Sequence, residues 1–311
     1  MRERLMEILV CPSDRNPLEL VNPEYVSGEI RSAQLRCGAC GQAYPVIDFI
    51  PRFVDKESYA EKFGFEWKKF RTVQIDNANR TNSLETFIAK TGFTEDFLRR
   101  KLILDVGVGA GRFADIASRW GGEVVGIDLS SAVEAAHRNL SGRPGVHIVQ
   151  ADLFRLPFRE ESFDVVYSIG VLHHTPNTEA AFHTISRYLK NGGVIAIWLY
   201  EKWSNSRRKS LTSLAAIRKV TTRLSPATLY YLTALSIPLH YVYKIPVIGL
   251  LQRYLPINKH SNWKWRWLNT FDEYQPKYQW YHTYPEVYRW FRGNFSEVEL
   301  LDTPLSMRGT K

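Results

Sequence analysis

Cysteine and methionine each occur only three times in this chain of 311 residues. An odd number of cysteines excludes a complete disulfide framework and suits a reducing compartment. All three, Cys11, Cys37 and Cys40, fall in the first forty residues. Long apolar runs are also missing. The most apolar stretch, "LYYLTALSIPLHYVYKIPVIGLLQRYL", is interrupted by Pro238, His240, Lys244 and Pro246, which excludes a span. The N-terminal "MRERLMEILVCPSDR" has too little apolar sequence before Cys11 and Pro12 for a secretory core, so the expected location is cytoplasmic. No fixed-period repeat and no low-complexity tract is visible.

Acid is in deficit. Against 41 Lys and Arg stand 32 Asp and Glu, a formal charge of +9, compatible with nucleic acid, an acidic substrate or an anionic membrane as partner. With 44% hydrophobic and 23% charged residues, the chain has enough apolar side chains to exclude disorder and build a core.

Composition divides the chain into zones. Residues 1–56 carry every cysteine and end in "YPVIDFIPRF", whose alternation predicts a last strand. Residues 57–83 read as a linker. Residues 84–200 alternate short apolar runs with helical spacing, which predicts a doubly wound α/β sheet. Five strands are expected, in "KLILDVG", "GGEVVGIDLS", "VHIVQAD", "FDVVYSIG" and "GGVIAIWLY". Helices are expected in "GRFADIASRW", "SAVEAAHRNL" and "TEAAFHTISRYLK", the last stopped by Asn191, Gly192 and Gly193. Residues 201–284 form a basic and then aromatic insertion, and residues 285–311 a closing helix and strand pair.

Open α/β sheets bind ligands beyond the carboxyl ends of their strands. At the first such end stands "LILDVGVGAGRF", with Asp105 and then Gly107, Gly109 and Gly111. A dinucleotide fingerprint would put its third glycine where Arg112 stands; the match from Gly109 to Ala114 starts four residues too late, so a nicotinamide cofactor is the second reading. The first is a ligand without a pyrophosphate to cradle. A carboxylate at the turn accepts from an ammonium, Asp128 at the second strand end can take both ribose hydroxyls, and Asp152 at the third can accept from an adenine amine beside Leu153 and Phe154. An amino acid head, a ribose and an adenine in that order describe S-adenosylmethionine. The alternative is that these aspartates only cap the helices that follow.

On those residues, and on "FDVVYSIGVLHHTPN" at the fourth strand, residues 84–200 resemble the class I S-adenosylmethionine-dependent methyltransferases of type 11. The likeness extends to "EVYRWFRGNFSEVELL" and "LSMRGTK", which match that fold's last helix and antiparallel strand pair. It implies a Rossmann-like sheet of seven strands. It also implies cofactor roles for Asp105, Gly107, Gly109 and Gly111 at the methionine end, Asp128 with Leu129 at the ribose, Asp152 with Leu153 at the adenine, and Ser168 and Gly170 on the methyl side.

Methyl transfer from a sulfonium is an in-line displacement, and a base is needed only where the acceptor must lose a proton. His173 and His174 stand at the rim after the fourth strand, His174 being the preferred candidate; the alternative is that they pack against the cofactor loop. Enzymes that methylate planar amines resemble one another in an Asn-Pro-Pro-aromatic turn there. Ser168, Ile169, Gly170 and Val171 stand instead, which favours oxygen or carbon acceptors.

"ILVCPSDRNPLEL" and "LRCGACGQAYPVIDFIPRF" are similar to the small zinc-ribbon-like activators of tRNA, ribosomal RNA and release-factor methyltransferases. Cys37 and Cys40 keep a zinc knuckle's spacing; in the first knuckle Asp14 replaces the second cysteine, so the choice lies between a structural zinc on Cys11, Asp14, Cys37 and Cys40 and a ribbon with free thiols. In the insertion, Arg207, Arg208, Lys209, Arg218, Lys219 and Arg223 precede the apolar stretch, expected to form a helical lid or an element peripheral to an anionic membrane. "NWKWRWLNTF" is expected to be extended, with Trp263, Trp265 and Trp267 on one face and Lys264 and Arg266 on the other. These rings either pack in the core or line an acceptor pocket. The expected activity is O-methylation, or less readily C-methylation, of a small or lipid-linked acceptor such as a glycan precursor or quinone-like ring. RNA methylation, for which basic residues interleaved with aromatics are also suited, is the second reading, and a non-catalytic scaffold the third.

Overall fold

The computed structural model describes residues 1–54, 59–76, 81–202 and 208–311, with side chains from residue 213 in the last segment. Arg207 lies outside the described residues, as do the side chains of Arg208 and Lys209.

The N-terminal module is a four-stranded antiparallel sheet of β1 (Leu18–Val26), β2 (Glu29–Cys37), β3 (Ala43–Ile47) and β4 (Ile50–Pro51) in that order. The segment expected as one last strand is a hairpin: Asp48 and Phe49 both take positive φ, turning the chain between β3 and β4. The segment 57–83, expected as a linker, contains α1 (Glu61–Lys69).

The core sheet uses β5 (Leu102–Val106), β6 (Glu123–Asp128), β7 (Val146–Gln150), β8 (Phe163–Ile169), β9 (Leu189–Trp198), β10 (Ser296–Leu300) and β11 (Ser306–Thr310). Their order is β10-β11-β9-β8-β5-β6-β7, parallel throughout except for antiparallel β11 with its neighbours β10 and β9. Val106 pairs with Ile127 and Asp128 with Gln150, so the carboxyl ends of β5, β6 and β7 are level. Alternation along the strands divides the core. Leu104, Val106, Val125 and Ile127 pack on one face, Ile103, Val124, Val165 and Tyr167 on the other.

The helices in chain order are α2 (Asn82–Thr91), α3 (Glu95–Leu98), α4 (Arg112–Arg119), α5 (Ala132–Leu140) and α6 (Thr178–Ser186). Helix α6 ends before the predicted stop, because Leu189 already belongs to β9. Asn191, Gly192 and Gly193 sit inside that strand's first half, where Gly192 has φ 75° and the register with β8 slips. The insertion folds into α7 (Arg208–Thr221), α8 (Pro226–Ala234), α9 (Ser236–Val242), α10 (Pro246–Gly249) and α11 (Trp263–Tyr274), and α12 (Tyr284–Phe291) closes the domain. No helix among the described residues is long and apolar enough to cross a membrane.

The tryptophan segment is helical, not extended. Asn262 caps α11 by accepting from the amides of Lys264 and Trp265 at 2.9 and 3.3 Å, and Trp267, Phe271 and Tyr274 then follow at helical spacing. Three alternating aromatics had matched a period of two over too short a window. Trp263 and Trp267 consequently share one face of the helix, ring centroids 6.5 Å apart, and Trp265 faces away from them. Trp263 is exposed, Trp265 turns toward the cleft described below, and Trp267 packs on Tyr230 with its Nε1–H donating to that residue's carbonyl at 2.9 Å. Arg266, expected with Lys264 on the face opposite the tryptophans, is buried and donates from Nη1 to His260 O at 2.9 Å, while Lys264 is exposed.

The module shares a hydrophobic core with the sheet. Leu5, Leu9, Cys11, Leu18 and Leu35 belong to one buried cluster with Leu153, Leu156 and Phe158. Backbone bonds join them as well: Val10 N–H donates to Pro157 O at 2.9 Å, and Phe53 N–H to Gln150 O at 2.8 Å on the sheet's β7 edge.

Candidate functional site

A cleft of about 360 Å³ opens over the carboxyl ends of β5 to β8. Its floor is the glycine turn, and its roof comes from α1 and α11. Gly107 and Gly109 take φ of 84° and 53°, and each is closely covered. A Cβ on Gly107 would stand 2.3 Å from Val171 Cγ2, and one on Gly109 would stand 3.1 Å from the Trp67 ring of α1. Only glycine allows both the positive φ and the approach.

The side chains expected from sequence divide between the cleft wall and the layer behind it. Gly107, Gly109, Asp128, Leu129, Asp152, Leu153, Gly170 and His174 line the cleft. Asp128 Oδ2 accepts from Gly109 N–H at 3.1 Å, while Oδ1 accepts from the amide and hydroxyl of Ser130 at 2.9 and 2.7 Å. Burial raises the Asp128 pKa and those bonds oppose the rise. Asp152 Oδ1 accepts from Phe154 N–H at 2.9 Å, capping the short turn Leu153–Arg155, so the capping role and the position on the wall belong to the same carboxylate.

Asp105, Gly111, Ser168 and His173 are not on that wall. Asp105 follows the strand alternation to the Tyr167 face, where its Oδ2 accepts from Tyr167 Oη–H at 2.9 Å and burial pushes its pKa up to about 7. An ammonium in the cleft would therefore meet the backbone of the turn before it met this carboxylate. Ser168 Oγ–H donates to Val106 O at 3.0 Å, tying β8 to β5. Gly111 precedes α4 against Leu140. His173 is fully buried, its ring stacked on Tyr200 with centroids 3.8 Å apart and neither nitrogen bonded. Burial holds its pKa well below the ordinary histidine value.

His174 is the histidine at the cleft. Its Nδ1 lies 3.0 Å from Tyr278 O, and because a carbonyl can only accept, Nδ1 carries the proton and Nε2 keeps a lone pair. Burial lowers its pKa to about 4, so the ring is neutral around pH 7.

Several cleft residues went unnoticed in the sequence. Arg112, read only as a missing glycine, lines the wall, and burial lowers its pKa to about 10 against the opposing pull of Asp272, Asp76 and Asp105. Lys90 stands over the Trp198 ring, its pKa lowered to about 7 by burial. From the roof come Glu66 of α1 and Asp272 of α11. Burial raises both, Asp272 to about 6 and Glu66 well above the usual carboxylate value, and Gln275 Nε2–H donates to Glu66. No local motif marks these residues. Glu66 and Asp272 come together only where two distant helices fold over the sheet.

Residues 104–197 match the family model of the methyltransferase domain, and residues 2–48 match that of Trm112p-like proteins. The chain carries a methyltransferase domain behind a Trm112p-like module. Phosphoethanolamine N-methyltransferase 2 of Caenorhabditis elegans is 36% identical over 131 residues, 37% of this chain and 30% of the relative. Sterol 24-C-methyltransferase ERG6B of Gibberella zeae is 33% identical over 103 residues, 31% of this chain and 27% of the relative. Probable tRNA methyltransferase 9B of Mus musculus is 29% identical over 119 residues, 37% of this chain and 25% of the relative. The chain thus spans less than a third of each, and the three are named for different acceptors.

In the Trm112p-like module, the ligand atoms of Cys11, Asp14, Cys37 and Cys40 all lie within 4.8 Å of one another. Cys11 Sγ and Cys40 Sγ are 3.7 Å apart, and Cys37 Sγ is 3.3 Å from Asp14 Oδ2. Two thiolates at tetrahedral angles on one zinc stand about 3.8 Å apart. Three cysteines and one carboxylate, none in a disulfide, are a donor set that fits zinc.

Proposed function

We propose that this chain is an S-adenosylmethionine-dependent methyltransferase acting on an oxygen, or secondarily a carbon, of a small or lipid-linked acceptor. The cofactor supplies an electrophilic methyl on a sulfonium. The backbone at Gly107 and Gly109 would receive its methionine end, with Arg112 as a partner for the carboxylate; Asp128 and Leu129 would hold the ribose, and Asp152 and Leu153 the adenine. Gly170 would leave room beside the methyl.

The observation that carries the acceptor reading is His174. A hydroxyl that takes a methyl must lose its proton, and a neutral imidazole on the cleft wall, fixed through Nδ1 and open at Nε2, can receive it. Phe63, Trp67, Tyr200 and Trp265 supply apolar faces for a ring or an isoprenoid-like chain.

RNA is the second reading, favoured by the chain's charge of +9. Against it stands the lining of the cleft, where the aromatic faces of Phe63, Trp67, Tyr200 and Trp265 outnumber the cations Lys90 and Arg112 that could meet a phosphate. Radiolabelled methyl transfer into fractionated cell extract separates the two. Label in the small-molecule or organic fraction, unaffected by moderate salt, is the expected result. Label in RNA, falling steeply between low and moderate salt, would replace the acceptor reading. A wild type that binds no S-adenosylmethionine would remove the reading altogether.

A further inference from the structure

Between Lys202 and Phe271 the sequence contains no aspartate or glutamate, while twelve lysines and arginines fall in those seventy residues. That exceeds the net charge of the whole chain, so the rest of the molecule is net acidic. The same segment breaks the usual rule of burial. Of the twenty large apolar side chains standing exposed among the described residues, thirteen fall between Val220 and Trp263. Val247 is 78% exposed, Tyr254 74% and Tyr231 71%.

Eleven of the thirteen, from Tyr231 to Leu255, lie on or directly beside the consecutive elements α8, α9, α10 and the turn Leu250–Arg253. Helix α8 buries only Leu229 and Thr233, leaving Tyr231 and Leu232 outward. A helix that is apolar on its outer face as well as its inner one needs a cover. A monomer in water rarely leaves so extended an apolar surface open.

We propose that residues 226–255 dock on an anionic phospholipid bilayer, lying in its headgroup region without crossing it. Charge complementarity selects this occupant. Lys244 stands between α9 and α10 and Arg253 ends the turn Leu250–Arg253, Arg223 and Lys259 flank them, and no carboxylate of the segment opposes an anionic headgroup. Tyrosine and tryptophan at the edges, Tyr231, Tyr254 and Trp263, suit the boundary between headgroup and acyl chain. A second copy of the chain fits less well, since a two-fold contact would set these basic residues against their own copies with no acid between them.

Docking this face would also orient the cleft. Helices α8 and α9 pack on α11, and α11 carries Trp265, Leu268, Asn269 and Asp272 on the cleft wall. The roof of the cleft would then rest on the bilayer, where a lipid-linked acceptor is concentrated. That consequence rests on the acceptor reading above; the docking does not.

Flotation of the full chain with vesicles of phosphatidylcholine, alone or with about a third phosphatidylglycerol, tests the proposal. The protein should float with the anionic vesicles and not with the neutral ones. The double variant Val247→Glu, Leu251→Glu changes only exposed positions and should lower the floating fraction by about tenfold or more. Its circular dichroism and its calorimetric binding of S-adenosylmethionine should match the wild type, which keeps this test independent of the methyltransferase reading. Failure to float on anionic vesicles overturns the docking, as does flotation that the variant leaves unchanged. A dimer in light scattering that the variant splits would also overturn it, giving the surface to a second copy.

Discussion

The amide of Gly109 donates to Asp128 Oδ2 across 3.1 Å, so the turn behind β5 and the end of β6 form one hydrogen-bonded unit. Ser130 engages the other carboxylate oxygen through both its amide and its hydroxyl. The carboxylate is therefore oriented before any ligand arrives, which is the condition for a strong paired contact with two ribose hydroxyls. Asp128→Ala should weaken S-adenosylmethionine binding by about 2 kcal/mol or more, roughly 30-fold, in calorimetric titration. Equal affinity in the variant would take the ribose role from this residue.

Gly107 presents a steric prediction of a different kind. Gly107→Ala places a methyl 2.3 Å from Val171 Cγ2 at φ 84°, so it should destabilise the protein by about 1–3 kcal/mol through overpacking and backbone strain together. Adding Val171→Ala relieves the overpacking and leaves the strain. The double variant should therefore melt higher than an additive sum of the two single losses, a coupling that a double-mutant cycle in urea measures directly. Strict additivity would mean that the turn and the loop after β8 move apart freely.

The strands and their carboxyl ends were legible because each carries a local signature. Leu102 to Val106 is a mostly apolar run that stops at Gly107, and the aspartates Asp128 and Asp152 end two further apolar runs. What was not legible depends on contacts between segments far apart. Helix α1 was hidden in a presumed linker because its value lies in Trp67 covering Gly109 and Glu66 meeting Gln275, neither of which is marked by its neighbours. The tryptophan segment was misread because three aromatics fit period two as easily as a helical turn, and the deciding partner for Trp267 is Tyr230, thirty-seven residues away. Asp105 was visible as a carboxylate at a strand end, but its side-chain direction follows from the pleat, which sets it against Tyr167.

His174 yields a pH prediction with a definite sign. Its pKa in the folded chain is about 4, below the ordinary value of 6.5, so between those values the unfolded chain binds the proton and the folded chain does not. The share of stability that depends on His174 should therefore fall as pH drops from about 6.5 to 4, while Asp105 and Asp272, whose pKa values burial raises to about 7 and about 6, act in the opposite direction. His174→Gln should remove that share, read as the difference between variant and wild type in urea midpoints taken at pH 7 and pH 5, while buried His173, shifted in the same direction, keeps its own. In the wild type, the His174 ring signal in nuclear magnetic resonance should titrate near pH 4. A midpoint near 6.5 would show the ring open to water and weaken its assignment as the neutral base of the cleft.

The four donors of the N-terminal module predict a metal-dependent stability. Cys11 and Cys37 are buried in the module, and Cys11 belongs to the hydrophobic cluster that also holds Leu9 and Phe158, so a zinc on these ligands would brace the core shared with the methyltransferase domain. Protein purified without chelator should carry about one zinc per chain by elemental analysis. A chelator should lower the melting temperature, because the ion binds the folded donor set and not the unfolded one. Asp14→Ala removes one ligand at a half-buried position and should weaken zinc retention while leaving the fold intact in zinc-replete buffer. Asp14→Cys restores the four-thiolate knuckle and should strengthen retention. If chelator leaves the melting temperature unchanged and both variants match the wild type, the ribbon is held by its strands and by the shared core alone, and exposed Cys40 should then react with a thiol reagent in the folded protein while Cys11 does not.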